Sequence, residues 1–312
     1  MAIKISVQSA EGVNVNSGNG SYLDQMPATF DTGAGNFGCF RDTFNKSKQY
    51  GVAEDKQSGT MIYSEGAALL AGGSLSYNLG SHTLTGKLDT LSFGTGLNGV
   101  TSSSGVTRSK MSLDETDLSF SGLGLNSAQK DRVHDILYGM MTGDADAFLN
   151  YLAKNAVTFT GGDGADTFGG GRKADKLNGG SGDDHLSGGD GNDQLNGGLG
   201  ADMLAGDRGK DIFTFRSSEA STMTAMDTIS SFSGAAGDRI NLKAIDAESG
   251  SSANDAFDFI GEAAFSGKAG ELRFEVSADA TLLYGDIDGD GNADLAIQFD
   301  TVLSLRERDF VL

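Results

Sequence analysis

One cysteine, three histidines and only 23 basic residues against 43 acidic ones are the shortages of this 312-residue chain. A lone Cys39 closes no intramolecular disulfide, so stability has to come from core packing or bound ions. The net charge of −20 repels nucleic acid and anionic lipid and favours cationic partners such as calcium. No apolar run approaches transmembrane length, so membrane insertion is not expected, and the opening MAIKISVQSAEGVNV lacks the apolar stretch of a Sec signal. The histidines are scattered and no H-E-x-x-H occurs, which removes zinc proteolysis. No G-x-S-x-G elbow sits convincingly between strand and helix, and Cys39 has no histidine at a catalytic spacing. An enzyme is therefore not expected.

What is present divides the chain in two. Residues 1–160 carry 15 acids against 11 bases, and residues 161–312 carry 28 against 12. An apolar content of 38% suffices for a packed core, and the length predicts about two domains.

From Gly161 the chain reads GGDGADTFG, GGRKADKLN, GGSGDDHLS, GGDGNDQLN, GGLGADMLA, GDRGKDIFT, six nonapeptides in phase. Position six is always Asp (Asp166, Asp175, Asp184, Asp193, Asp202, Asp211). Position eight is always Phe or Leu (Phe168, Leu177, Leu186, Leu195, Leu204, Phe213). A flexible linker has no reason to keep an apolar residue at one place in nine. The phasing predicts a parallel β-roll, with a glycine turn and a short strand per repeat and two repeats per coil. Turns of alternate repeats then stack, grouping Asp166 with Asp184 and Asp202, and Asp175 with Asp193 and Asp211. Such oxygen cages select calcium, with dissociation constants of roughly 10⁻⁴ to 10⁻³ M for extracellular modules. The breaks in the pattern are Lys173 at position four and Asp207 at position two. Further on, Asp286, Asp288, Asp290 and Asp294 fit a D-x-D-x-D-G calcium loop that ends on Ile297 in place of the usual Glu. A hairpin turn rich in Asp and Gly explains that stretch equally well.

The first half reads as α+β. Asn126 or Ser127 caps a helix whose apolar positions Val133, Ile136, Leu137, Met140 and Met141 recur at helical spacing, and a second helix buries Phe148, Leu149 and Leu152. His134, Tyr138 and Met141 form a neighbouring stripe. Upstream, Leu75, Tyr77 and Leu79 alternate, as do His82, Leu84, Gly86 and Leu88, which predicts two strands joined by a turn at 78–81. Tyr77 and His82 become near cross-strand neighbours. A neutral histidine accepting the phenol proton makes tyrosine a phenolate ligand, a hard anion suited to ferric iron. A surface Tyr and His on an ordinary hairpin fit the same spacing.

Three resemblances follow from these residues. The repeats at 161–214 resemble the RTX family of secreted proteins. DIFTF at Asp211, DTISSF at Asp227, DRINL at Asp238 and the terminal Asp309-Phe310-Val311-Leu312 resemble the C-terminal targeting domain of serralysin-type proteases, which implies type I secretion with an uncleaved signal. SHTLTGKLDTLSFGTGL (Ser81 to Leu97) and VHDILYGMMTGDADAF (Val133 to Phe148) resemble the secreted haemophores of the HasA type. That last resemblance implies a curved antiparallel sheet packed on helices, with haem held between two loops. It places the haem ligand on Tyr77, its supporting histidine on His82, further haem contacts on His134, Tyr138 and Met141, flanking apolar residues on Leu79 and Leu84, and a pocket tyrosine on Tyr50. The family's other loop commonly carries a second axial histidine. The stretch after Phe30, DTGAGNFGCFRDTFNKSKQYG, has none.

The expectation is an α+β haemophore-like domain at 1–158, an RTX β-roll at 159–214 and a β-rich secretion-targeting domain at 215–312. The function expected is extracellular capture of haem, with calcium as the folding ion. The resemblance also implies host haemoproteins, an outer-membrane haem receptor and the type I secretion apparatus as partners. The competing expectation is a secreted calcium-binding adhesin or matrix protein whose haemophore-like domain no longer binds haem.

Overall fold

The computed structural model describes residues 2–15, 39–41, 46–53, 61–63, 67–78, 83–100, 106–107, 112–125, 133, 135–137, 145–250 and 253–312. It divides into two compact units, one of Met1–Ser9 with Val13–Ala153 and one of Ala10–Gly12 with Lys154–Leu312.

The first unit is built on a mainly antiparallel sheet. Its order runs β1 (Ile3–Val7), β8 (Ser112–Leu125), β6 (Thr83–Val100), β5 (Ala67–Asn78), β3 (Lys46–Ala53), β2 (Cys39–Arg41) and β7 (Val106–Thr107), with β4 (Met61–Tyr63) also on β6. Period-two patterning aims one face at a core. Ile3, Ile5 and Val7 of β1, Leu91 and Phe93 of β6, and Leu118 and Phe120 of β8 are all buried. Phe120 stands edge-on to Phe93 at 6.0 Å and to Phe148 at 4.8 Å, so the helix Asp146–Leu152 is pinned on the sheet by an aromatic chain. Phe148 and Leu152 are buried and Leu149 half-buried. Val133 and residues 135–137 are helical, with Val133, Ile136 and Leu137 buried as their i, i+3, i+4 spacing requires. Met140 and Met141 lie outside the described residues. Among the described residues of this unit strand dominates more than the α+β expectation implied, since β5 and β6 are far longer than the segments their alternation revealed. They pair from Ala67–Thr95 to Asn78–Thr83 across a bulge at Gly72–Gly73.

The second unit is a parallel roll continued by a β-rich end. On one side β9 (Val157–Thr160), β11 (Lys176–Ser181), β14 (Gln194–Leu199), β17 (Ile212–Thr214), β19 (Arg239–Asn241) and β24 (Phe310–Val311) lie in that order. On the other, β10 (Thr167–Gly169), β12 (His185–Ser187), β15 (Met203–Ala205) and β18 (Asp227–Ser230) lead into β23 (Leu295–Phe299), β22 (Thr281–Asp286), β21 (Glu271–Val276) and β20 (Asp258–Gly261). The register stacks each position-eight residue on its equivalent one coil on: Leu177 on Leu195, Leu195 on Phe213, Phe168 on Leu186 and Leu186 on Leu204. Two buried apolar rails result. They extend beyond the nonapeptides, to Phe159, Ile240 and Phe310 on one side and to Ile229 and Phe299 on the other.

Candidate functional sites

The turns of the roll carry the acids. All six position-six aspartates are at most 1% exposed. Their Oδ1 atoms accept a backbone N–H one coil back: Asp184 from Asp166 at 2.7 Å, Asp202 from Asp184 at 2.8 Å, Asp193 from Asp175 at 2.7 Å and Asp211 from Asp193 at 2.9 Å. Stacking at an 18-residue offset thus brings together the two groups of three that the sequence assigned. In Asp166 and Asp175 the second oxygen accepts the N–H of Gly162 or Gly171. In Asp184, Asp193, Asp202 and Asp211 the buried Oδ2 has no hydrogen-bond partner among the described residues.

The glycine turn explains how these oxygens are packed. A Cβ at Gly179 would collide with Oδ2 of Asp184, and one at Gly197 with Oδ2 of Asp202. Position two is left-handed at Gly180, Gly189 and Gly198, and Asp207 keeps that conformation at φ 60° while accepting a hydrogen bond from Ser187. Aspartate is among the few non-glycine residues that tolerate it.

Burial pushes the Asp184 carboxyl up to about 7 and those of Asp193 and Asp202 to about 6, with neighbouring aspartates adding repulsion; Asp175 and Asp211 move in the same direction for the same cause. Stacked buried acids with unpartnered oxygens need a proton or a cation. An all-oxygen donor set of this kind suits calcium, and Asp166, Asp175, Asp184, Asp193, Asp202 and Asp211 are the residues that would hold it.

The second acidic site is the hairpin between β22 and β23. Buried Asp286 accepts the N–H groups of Gly289 at 2.7 Å and Gly291 at 3.0 Å, and Asp294 accepts those of Ile287 at 2.7 Å and Asp288 at 3.3 Å. One carboxylate oxygen from each of Asp286, Asp288 and Asp294 lies within 4.8 Å of the others. Asp290 stands outside that group, and hydrogen bonds from the Asn292 side chain and then from its backbone N–H hold the Asp290 carboxyl below the usual range.

For the haem residues the structure gives backbone placement. Tyr77 is the penultimate residue of β5, and its register partner is Leu84. Asn78 pairs with Thr83, so Asn78 belongs to the strand and not to the expected turn. Tyr50 lies on β3 opposite Ala71 and Phe40. Leu79, His82, His134, Tyr138 and Met141 lie outside the described residues. Sequence reasoning also passed over Asp227 and Asp238, which occupy the same turn position in later coils. Each stands two residues before a buried isoleucine, the spacing of positions six and eight, and that was the available signal.

Comparison with known proteins completes the picture. The family description Heme-binding protein A (HasA) matches residues 14–165, and the serralysin C-terminal family of peptidase M10 matches residues 127–312. The chain is 36% identical over 142 residues to hemophore HasA of Serratia marcescens, covering 40% of this chain and 68% of that protein. It belongs to the HasA family and carries a serralysin C-terminal domain. Among solved structures, apo HasA from Yersinia pestis aligns at a TM-score of 0.37 with 21% identity, covering 48% of this chain and 86% of that one. The AlgE6R2 subunit of the Azotobacter vinelandii mannuronan C5-epimerase aligns at 0.33 with 22% identity, covering 47% and 91%. Among the described residues no helix is long and apolar enough to cross a membrane.

Proposed function

We propose that the protein is an extracellular haemophore: its HasA domain, residues 1–158, captures haem, its RTX roll at 159–214 binds calcium, and residues 215–312 direct type I secretion. The observation that carries this reading is the HasA relationship over 142 residues at 36% identity. Haem is the cargo and its reversible binding is the activity; the porphyrin itself is not chemically changed. Tyr77 ligates ferric iron as phenolate, His82 accepts the phenol's hydrogen bond, and His134, Tyr138, Met141, Leu79, Leu84 and Tyr50 surround the porphyrin. Host haemoproteins supply the cargo and an outer-membrane receptor takes it.

Low calcium in the cytoplasm leaves the roll unfolded for export, and calcium outside folds it, because an ion that binds only the folded state stabilises that state by mass action. The stacked buried oxygens of the turns support this part of the reading. Asp286, Asp288 and Asp294 form a further calcium site, with Asp290 at its margin.

The test is titration with haemin in calcium buffer. A Soret shift with tyrosinate charge-transfer bands, abolished by Tyr77→Ala, is the expected result. No spectral change in the native protein would leave a calcium-binding adhesin or matrix protein as the better description, a reading favoured by the absence of histidine after Phe30. Protonation of His82 removes the acceptor, so haem affinity falls between about pH 8 and about pH 5. Affinity that stays flat over that range contradicts the role given to His82.

A further inference from the structure

The nonapeptides end at Thr214, yet the turn geometry does not end with them. Asp227 lies 25 residues beyond Asp202, where a regular coil would be 18, and still reproduces the repeat's bonding. Its Oδ1 accepts the Asp202 N–H at 3.0 Å, and Thr228 N–H bonds Asp202 O at 2.8 Å, just as Met203 N–H bonds Asp184 O at 2.7 Å. Asp227 is 0% exposed, and its Oδ2 has no hydrogen-bond partner among the described residues, the condition of Asp184 and Asp202 below it in the same stack. The turn before it, Thr222 to Met226, contains no glycine, so no repeat pattern marks the position.

From this we infer that Asp227 is a divalent-cation ligand, extending the calcium ladder of Asp166, Asp184 and Asp202 past the last nonapeptide. The inference rests on the reading of the roll as calcium-binding. A buried carboxylate with one unpartnered oxygen costs stability unless a proton or a cation neutralises it, and the ladder below supplies the neighbouring oxygens that a cation needs.

The position also couples two parts of the unit. Asp227 donates its N–H to Ser221 Oγ at 2.8 Å, and the fully buried Ser221 donates that hydroxyl to Ala296 O while its backbone carbonyl accepts the Ala296 N–H at 3.1 Å. Ala296 lies on β23, the strand that leaves the Asp286–Asp294 hairpin. Cation binding at Asp227 therefore fastens the roll to the sheet that follows it.

The experiment compares the full chain with Asp227→Asn, Asp202→Asn and the exposed turn control Asp279→Asn, measuring bound calcium per chain, the calcium midpoint of folding and the thermal midpoint in calcium and in chelator. Asparagine retains the Oδ1 acceptor and removes only the charge. Asp227→Asn is expected to bind one ion fewer, to need several-fold more calcium to fold, and to melt lower in calcium but no lower in chelator. An unchanged ion count and midpoint overturn the inference, as does an equal loss of stability in both media or a failure to fold at saturating calcium, since each marks a purely structural aspartate. If the native chain binds no calcium and Asp202→Asn changes nothing, the reading of the roll itself has failed. Ion loss in Asp202→Asn alone means that only the extension beyond the repeats is wrong.

Discussion

The two halves of this chain solve stability by different means. The HasA domain buries interlocked large side chains, with Ile5, Phe93, Phe120 and Phe148 all at most 1% exposed. The roll has only two single-file apolar rails and buries a carboxylate in almost every turn. Aromatic packing needs nothing from the solvent beyond water to leave. Stacked buried acids need a proton or a counter-ion. On the proposed function, calcium should therefore govern the fold of the roll and leave the HasA domain unaffected.

Chelation should break the comparison most visibly. Excess EGTA is expected to remove hydrogen-exchange protection from residues 154–312 while β1, β6 and β8 keep theirs. Uniform protection, or uniform loss, would erase the contrast.

Acid should partly replace calcium. The carboxyls of Asp184, Asp193 and Asp202 are raised in the fold, to about 7, 6 and 6. Protonation therefore favours the folded state. Their contribution is fully present below the unfolded value of about 4 and disappears as pH rises through the folded values. In chelator the roll should melt higher at about pH 5 than at about pH 8. In calcium the order reverses, because protons compete with the ion. Thermal midpoints across pH in both media give the answer, and a chelated roll that gains stability with rising pH would refute the account of its buried acids.

Core truncations sharpen the contrast further. Phe120→Ala should cost the first unit about 3–5 kcal/mol, and Leu195→Ala should cost the second about 2–5 kcal/mol. Only the latter should raise the calcium midpoint of folding. The smallest effect is expected at Asp207. Replacement by glycine relieves the left-handed backbone but loses the Ser187 hydrogen bond, so stability should move by less than about 1 kcal/mol by calorimetry.

The roll was legible because position six and position eight never slip, and an 18-residue coil converts that phase directly into stacked Asp and stacked Leu. Asp227 and Asp238 escaped because offsets of 25 and 27 residues break the period, although their D-x-Ile spacing survives. Asp290 is the acid of the β22–β23 hairpin whose place spacing leaves open. In a short acidic hairpin a side chain that caps its own turn cannot be distinguished by spacing from one that points at an ion. In the first unit, the helical periodicity of Val133, Ile136 and Leu137 translated into burial, as did Phe148 and Leu152. The extent of β5 and β6 did not, because Gly72, Gly73 and Gly94 interrupt the alternation that would have revealed them. The pairing of Tyr77 with Leu84 likewise depended on where the turn begins, which alternation leaves open by a residue.

The most direct test of the whole account is a haemin titration of the intact protein, run once in calcium and once in excess EGTA with hydrogen exchange followed in parallel. The account predicts the same Tyr77-dependent Soret signal in both media, with residues 154–312 protected only in calcium. Haem binding that vanishes with calcium, or that is absent from both, would contradict it.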